Sequence, residues 1–183
     1  MRIIGGKFGG RMITAPPGIP ARPTTDFAKS GLFNLLLNEI DFEGKKVLDL
    51  FAGLGGISME FISRDVESVT SVDANFKSIE FIKETATKFG IKNLKVVRMD
   101  CFKFLRRCEE KYDLIFADPP FDLEETDELL PLIFERNILQ PNGLVIIEHQ
   151  SKRQLKHREH IYSTRTYGNC SFSFGKSAMG DER

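Results

Sequence analysis

The residues Asp118-Pro119-Pro120-Phe121 place a carboxylate, two imino acids and an aromatic ring in succession, directly after the apolar run Tyr112–Ala117. Prolines lack the N–H that a central strand needs, so the pair ends the run and builds a rigid loop at its C-terminal end. Such a loop suits one kind of chemistry. The exocyclic amine of a purine is a poor nucleophile because its lone pair is conjugated with the ring. Two acceptors aimed at its hydrogens, the Asp118 carboxylate and the Pro119 carbonyl, draw the nitrogen toward tetrahedral geometry and free that pair. Phe121 can stack on the base and hold it in line with an electrophile. Asp118 then orients and polarises first, and takes a proton only afterwards. Taken alone, these four residues also make an ordinary surface turn.

A second constellation lies upstream. The strand-like run Val47–Phe51 leads into Ala52-Gly53-Leu54-Gly55-Gly56, and Asp73 ends the next strand twenty residues after Gly53. Glycines let the backbone turn sharply and approach a ligand, and a carboxylate at that distance can accept from both ribose hydroxyls of an adenosine cofactor. These features alone do not separate a nicotinamide dinucleotide from S-adenosylmethionine, although Ser58 stands where the dinucleotide fingerprint has its third glycine. Asp49, inside the first strand, suits the ammonium of a methionine moiety. Asp100 ends a third strand and can accept from an adenine amine, or cap the helix that follows, or both. The Cys101 backbone N–H is available to the same ring.

These residues need a scaffold that brings strand ends together. Alternation of short apolar runs with helical periodicity, from Lys45 to Glu148, predicts an α/β fold with a parallel sheet and helices on both faces. Helices are predicted over 26–39, 57–64, 76–89, 102–107 and 124–136, and strands over 47–51, 66–73, 94–99, 112–117 and 144–148. Two further strands, 161–167 and 171–174, are joined by Gly168-Asn169 as a hairpin. A mostly parallel seven-stranded sheet closed by a C-terminal β-hairpin is the Rossmann-like architecture of class I methyltransferases. Residues 1–14 predict a short hairpin around a glycine-rich turn. The expected division is an N-terminal basic hairpin-and-helix extension over 1–40 and the main domain over 41–183.

Formal net charge is zero, but it is unevenly placed. Residues 1–30 carry five Lys/Arg and one acid, and residues 151–183 seven and three, so both ends are basic and the centre acidic. Local patches govern polyanion binding more than the total does, and Lys7, Arg11 and Arg22 are the candidates to grip phosphates. Cys101, Cys108 and Cys170 form no C-x-x-C pair, and His149, His157 and His160 have no ligand-like spacing, so neither a disulfide framework nor a metal site is expected. No signal peptide and no membrane span is expected, which points to the cytoplasm.

Several blocks together resemble one family. Arg2-Ile3-Ile4-Gly5-Gly6, Gly10-Arg11, Arg22-Pro23-Thr24-Thr25-Asp26, Leu32-Phe33-Asn34, Val47–Gly53 and Asp118–Phe121 look like the bacterial RsmD-type 16S ribosomal RNA guanine-N2 methyltransferases, over nearly the whole chain. The resemblance implies S-adenosylmethionine as cofactor, N2-methylguanine as product, and 16S ribosomal RNA in an assembling small subunit as partner. Leu54 stands where that family commonly has Ser or Thr, and Ser30 where it has Glu. Two other readings share the loop: an adenine-N6 DNA methyltransferase, and an inactive RNA-binding module of the same fold.

Overall fold

The computed structural model describes residues 1–19 and 24–176; Arg22 and residues 177–183 lie outside these. The strands are β1 (Lys46–Leu50), β2 (Ser68–Asp73), β3 (Leu94–Arg98), β4 (Tyr112–Ala117), β5 (Leu139–Gln150), β6 (Ile161–Tyr167) and β7 (Cys170–Lys176). The helices are α1 (Asp26–Glu39), α2 (Gly56–Ser63), α3 (Phe76–Phe89), α4 (Cys101–Arg107) and α5 (Leu129–Glu135). One seven-stranded sheet runs β3-β2-β1-β4-β5-β7-β6. β1 to β5 are parallel, and β7 runs antiparallel to both β5 and β6. After β1 the chain winds outward through β2 and β3, then returns to lay β4 on the other side of β1. That reversal opens a crevice at the C-terminal ends of β1 and β4, where doubly wound sheets bind ligands.

Local chemistry sets the helix ends. The Asn75 side chain accepts from Ser78 N at 3.1 Å to start α3, and Gly90, in the left-handed region at φ 68°, stops it. Thr25 caps α1 and Asp100 caps α4 in the same way. Two predicted elements differ. β5 begins at Leu139 because Leu139 pairs with Tyr112 before the chain bulges, and pairing resumes at Leu114 with Leu144. The helix expected over 124–136 is split into a tight 3-10 turn at Glu124–Glu128 and then α5, because Thr126 turns back to hydrogen-bond Leu123 O through both its N–H and its hydroxyl.

Strand alternation divides the core into two layers. Val47, Leu114, Phe116 and Ile146 pack with α1 and α2, while Leu48, Leu50, Ile115 and Val145 pack with α4 and α5. Leu32, Phe33 and Leu36 of α1 share their layer with Phe172 and Phe174 of β7. α1 therefore contributes to the sheet's own core. The N-terminal hairpin is real: Arg2 bridges Met12, and Ile3 and Ile13 pack on Met59, Phe81 and Ile82 of α2 and α3.

A buried polar knot fastens this arm. Lys29 of α1 and Glu60 of α2, with side chains 3% and 0% exposed, pair at 3.0 Å. Lys29 also donates to the Arg2 carbonyl, and Glu60 accepts from Ile4 N at 2.7 Å and from Arg64. The carboxylate is thus saturated by donors, which is the condition for burying it.

Candidate active site

A cavity of about 690 Å³ lies at the crevice. Its wall includes Asp49, Ala52, Gly53, Asp73, Asp100 and Cys101, together with Asp118, Pro119, Pro120 and Phe121. Ten of the eleven residues expected at the cofactor and the loop therefore meet in one space. The eleventh, Gly55, is not in the wall. It caps α2 at φ 74°, and a Cβ there would lie 2.9 Å from Ile82, so it serves the turn and the close packing of α3.

The turn after β1 is tighter than its glycines suggest. Phe51 itself adopts φ 59°, a costly conformation for an aromatic residue, before Gly53 at φ 53° and Gly55 at φ 74°. Phe51 N–H donates to Cys101 Sγ at 3.2 Å, and Ala52 N–H to Val72 O at 3.0 Å, which holds the turn against β2 and α4. Burial pushes the Cys101 thiol up, so this sulfur is a packed acceptor and not a reactive thiolate.

Asp73 is clamped from two sides. Oδ2 accepts from Gly53 N at 2.8 Å and Oδ1 from Asn75 N at 2.8 Å. Each oxygen keeps a second lone-pair site, so the carboxylate is oriented without being used up. Asp100 spends Oδ1 on its helix cap, which leaves Oδ2 as the second oxygen at the wall. Asp49 is 1% exposed and accepts from the Ser58 hydroxyl. Burial drives its carboxyl up to about 7, the Ser58 hydrogen bonds pull the other way, and the charge of Asp73 adds to the rise.

The described wall holds five carboxylates, those of Asp49, Asp73, Asp100, Asp118 and Glu125, against one base, Lys29, already paired with Glu60. An acidic cavity repels a pyrophosphate and attracts a sulfonium and an ammonium. This charge balance favours the cationic one of the two cofactors that the glycine turn leaves open.

The loop after β4 completes the wall. Asp118 N–H donates to Leu50 O at 3.3 Å, continuing the β1–β4 pairing past the strand end. Phe121 lines the cavity and packs on the layer formed by α1 and the sheet. Met1, Lys29, Phe51 and Glu125 also line the cavity and were not expected there, and Thr24, which precedes the cap of α1, joins them. Thr24 is held by donating to Glu148 Oε2 at 3.0 Å.

The expected phosphate grip is arranged differently. Lys7 pairs with Asp65 at 2.6 Å, beyond the C-terminal end of α2. Arg11 lies 5.1 Å from the ring centres of both Phe8 and Phe89, at the C-terminal end of α3. The cavity sits at the opposite ends of these helices, so neither residue joins its wall. Among the described residues, no cluster of His, Cys, Asp or Glu is arranged to hold a metal ion, and no helix is long and apolar enough to cross a membrane.

The sheet order and the crevice define a class I, Rossmann-like methyltransferase fold. The model of the family described as "Conserved hypothetical protein 95" matches residues 1–176. The "Putative rRNA methyltransferase YlbH" of Bacillus subtilis is 35% identical over 159 residues, 85% of each chain. The "Ribosomal RNA small subunit methyltransferase D" of Escherichia coli K12 is 32% identical over 157 residues, 85% of this chain and 77% of its own. A solved structure, "Putative methyltransferase yhhF from Escherichia coli", superposes with a TM-score of 0.85 at 24% identity, covering 98% of this chain and 99% of the other. The chain belongs to this family, that of the ribosomal RNA small subunit methyltransferase D proteins.

Proposed function

We propose that this protein methylates the exocyclic N2 amine of a guanine in 16S ribosomal RNA, with S-adenosylmethionine as donor and an assembling small subunit as substrate. One observation carries the reading: the Asp118–Phe121 loop after β4 and the acid-lined glycine turn after β1 line a single cavity. The cofactor supplies an electrophilic methyl group on a positively charged sulfur. Asp73 receives the ribose hydroxyls, Asp49 the ammonium, and Asp100 with the Cys101 N–H the adenine edge. Family membership supports a ribosomal RNA substrate, since the relatives are named for it.

In the loop after β4, Asp118 and the Pro119 carbonyl accept the two amine hydrogens and turn the lone pair toward the cofactor. The rigid prolines keep both acceptors in place, and Phe121 stacks on the guanine. The nitrogen becomes acidic only after it is alkylated, so its proton passes to Asp118 or to water without a strong base. Lys7 and Arg11, beyond the far ends of α2 and α3, serve the RNA away from the reacting base, and Arg22 is a further candidate phosphate contact.

The test is incubation with labelled S-adenosylmethionine and either unmethylated small subunits or DNA, followed by mass mapping of the modified nucleotide. Label in N2-methylguanine of 16S RNA is the expected result. Label in DNA adenine alone overturns the reading.

A further inference from the structure

The loop that carries Asp118 is tied to the strand after it by a side chain. Its prolines have no N–H groups, and the backbone contacts within it are Leu123 N–H to Pro120 O at 3.0 Å and Thr126 N–H to Leu123 O at 3.3 Å. Its carbonyls converge instead on one side chain. Arg153, between β5 and β6, donates from Nη1 to Phe121 O at 3.4 Å and Leu123 O at 2.9 Å. From Nη2 it donates to Glu124 O at 3.3 Å and to Asp127 Oδ2 at 3.3 Å. Asp127 Oδ1 in turn accepts from Lys156 N at 2.9 Å, and Arg153 N–H donates to Gln150 O at 2.9 Å. The guanidinium is therefore anchored at both ends, and the Arg153 and Asp127 side chains are 19% and 18% exposed.

We propose that Arg153 is a positioning residue for the reaction: through Phe121 O, Leu123 O and Asp127 it fixes the loop that presents Asp118, Pro119 and Phe121 to the base. The proposal rests on the reading of that loop as the base-binding wall. A planar guanidinium spans three carbonyls and a carboxylate at once, whereas a lysine ammonium can satisfy only part of the set. The cofactor wall has its own clamps, at Asp73 and Cys101, whereas the guanidinium of Arg153 bonds Phe121, Leu123, Glu124 and Asp127. Loss of the clamp should then loosen base positioning and leave cofactor binding alone.

The experiment uses the whole chain with Arg153→Lys, Arg153→Ala and Asp127→Asn. Hydrogen exchange is read at Leu123 and Thr126, and S-adenosylhomocysteine binding by calorimetry. Single-turnover rates on unmethylated small subunits are normalised to the number of binding-competent sites. In both Arg153 variants the loop amides should exchange at least about tenfold faster, and α2 amides as before. Cofactor affinity should stay within about twofold, and the rate per competent site should fall roughly 10- to 100-fold, the scale on which small misplacements act. Asp127→Asn should show a smaller shift in the same direction. Unchanged loop exchange in the Arg153 variants overturns the proposal whatever the substrate proves to be. So does a faster loop with an unchanged normalised rate. An unmutated protein that labels no ribosomal RNA overturns the functional reading instead, and the clamp is then decided on exchange alone.

Discussion

Gly31, in the middle of α1, lies against the ring of Tyr167 on β6: a Cβ at that position would sit 2.2 Å from Cε1. In an isolated helix, alanine there would be about 1 kcal/mol better than glycine. Here the ring and the helix backbone leave no room. Gly31→Ala should therefore destabilise the protein, by roughly 1–3 kcal/mol as overpacking does, and urea denaturation checks the sign. A stabilised variant would show that Tyr167 can swing away freely.

Two ion pairs of similar length should differ in worth. Lys7–Asp65 is 2.6 Å long but 45% and 69% exposed, so Lys7→Ala should cost no more than about 1 kcal/mol. Lys29–Glu60 is buried and tied into the N-terminal arm. Lys29→Ala leaves Glu60 short of a partner and should cost about 3–5 kcal/mol, read in the same denaturation series.

With Asp49 receiving the ammonium as proposed, cofactor binding should depend on pH. The Asp49 carboxyl is raised to about 7 in the folded protein, mainly by burial, so between the ordinary carboxylate range and neutrality it keeps a proton that the unfolded chain has lost. For the free protein, that contribution to stability is full at low pH and declines as pH climbs to about 7. A cationic ligand reverses the preference and expels the proton. Binding of S-adenosylmethionine near pH 6 should release up to about one proton and tighten as pH rises to 7. Calorimetry in two buffers of different ionisation enthalpy measures this, and Asp49→Asn should abolish the release.

On the proposed function, in which the Asp118 carboxylate accepts from the amine of the base, Asp118→Ala should lower turnover by at least about 100-fold and leave cofactor binding within about twofold. A near-normal rate refutes its role. Phe121→Ala should weaken the hold on the base by roughly 1–3 kcal/mol, seen as poorer use of RNA.

Much of this was legible where local rules act alone. The limits of α3 follow from Asn75 and Gly90, and β4 ends where Pro119 and Pro120 forbid more strand. The acids expected at the cofactor were readable because each lies near a strand end: Asp49 within β1, Asp73 at the end of β2 and Asp100 just past β3. What escaped depends on distant partners. Phe51 takes its left-handed backbone from the hold of Cys101 and Val72, and no neighbour in sequence signals that. Arg153 recognises carbonyl oxygens, which every residue carries, so its targets leave no pattern. Glu60 did leave one: a lone acid in the run Ile57–Ile62, apolar but for Ser58, marks a buried charge in need of partners. Lys7 and Arg11 were read by charge, and their positions beyond the far ends of α2 and α3 follow from the packing of Ile3 and Ile13.

The meeting of α1 with β6 and β7 also bears on how the protein is made. Tyr162 on β6 bonds Glu39 at 2.7 Å, Tyr167 covers Gly31, and Phe172 and Phe174 complete the layer under Leu32 and Leu36. During translation these residues emerge more than a hundred positions after the helix they cover. A nascent chain can pair β1, β2 and β4 while its apolar helix still waits for a lid. The last hairpin is thus the latest-made part of this layer, and a chain halted before it would leave the face formed by Leu32 and Leu36 uncovered.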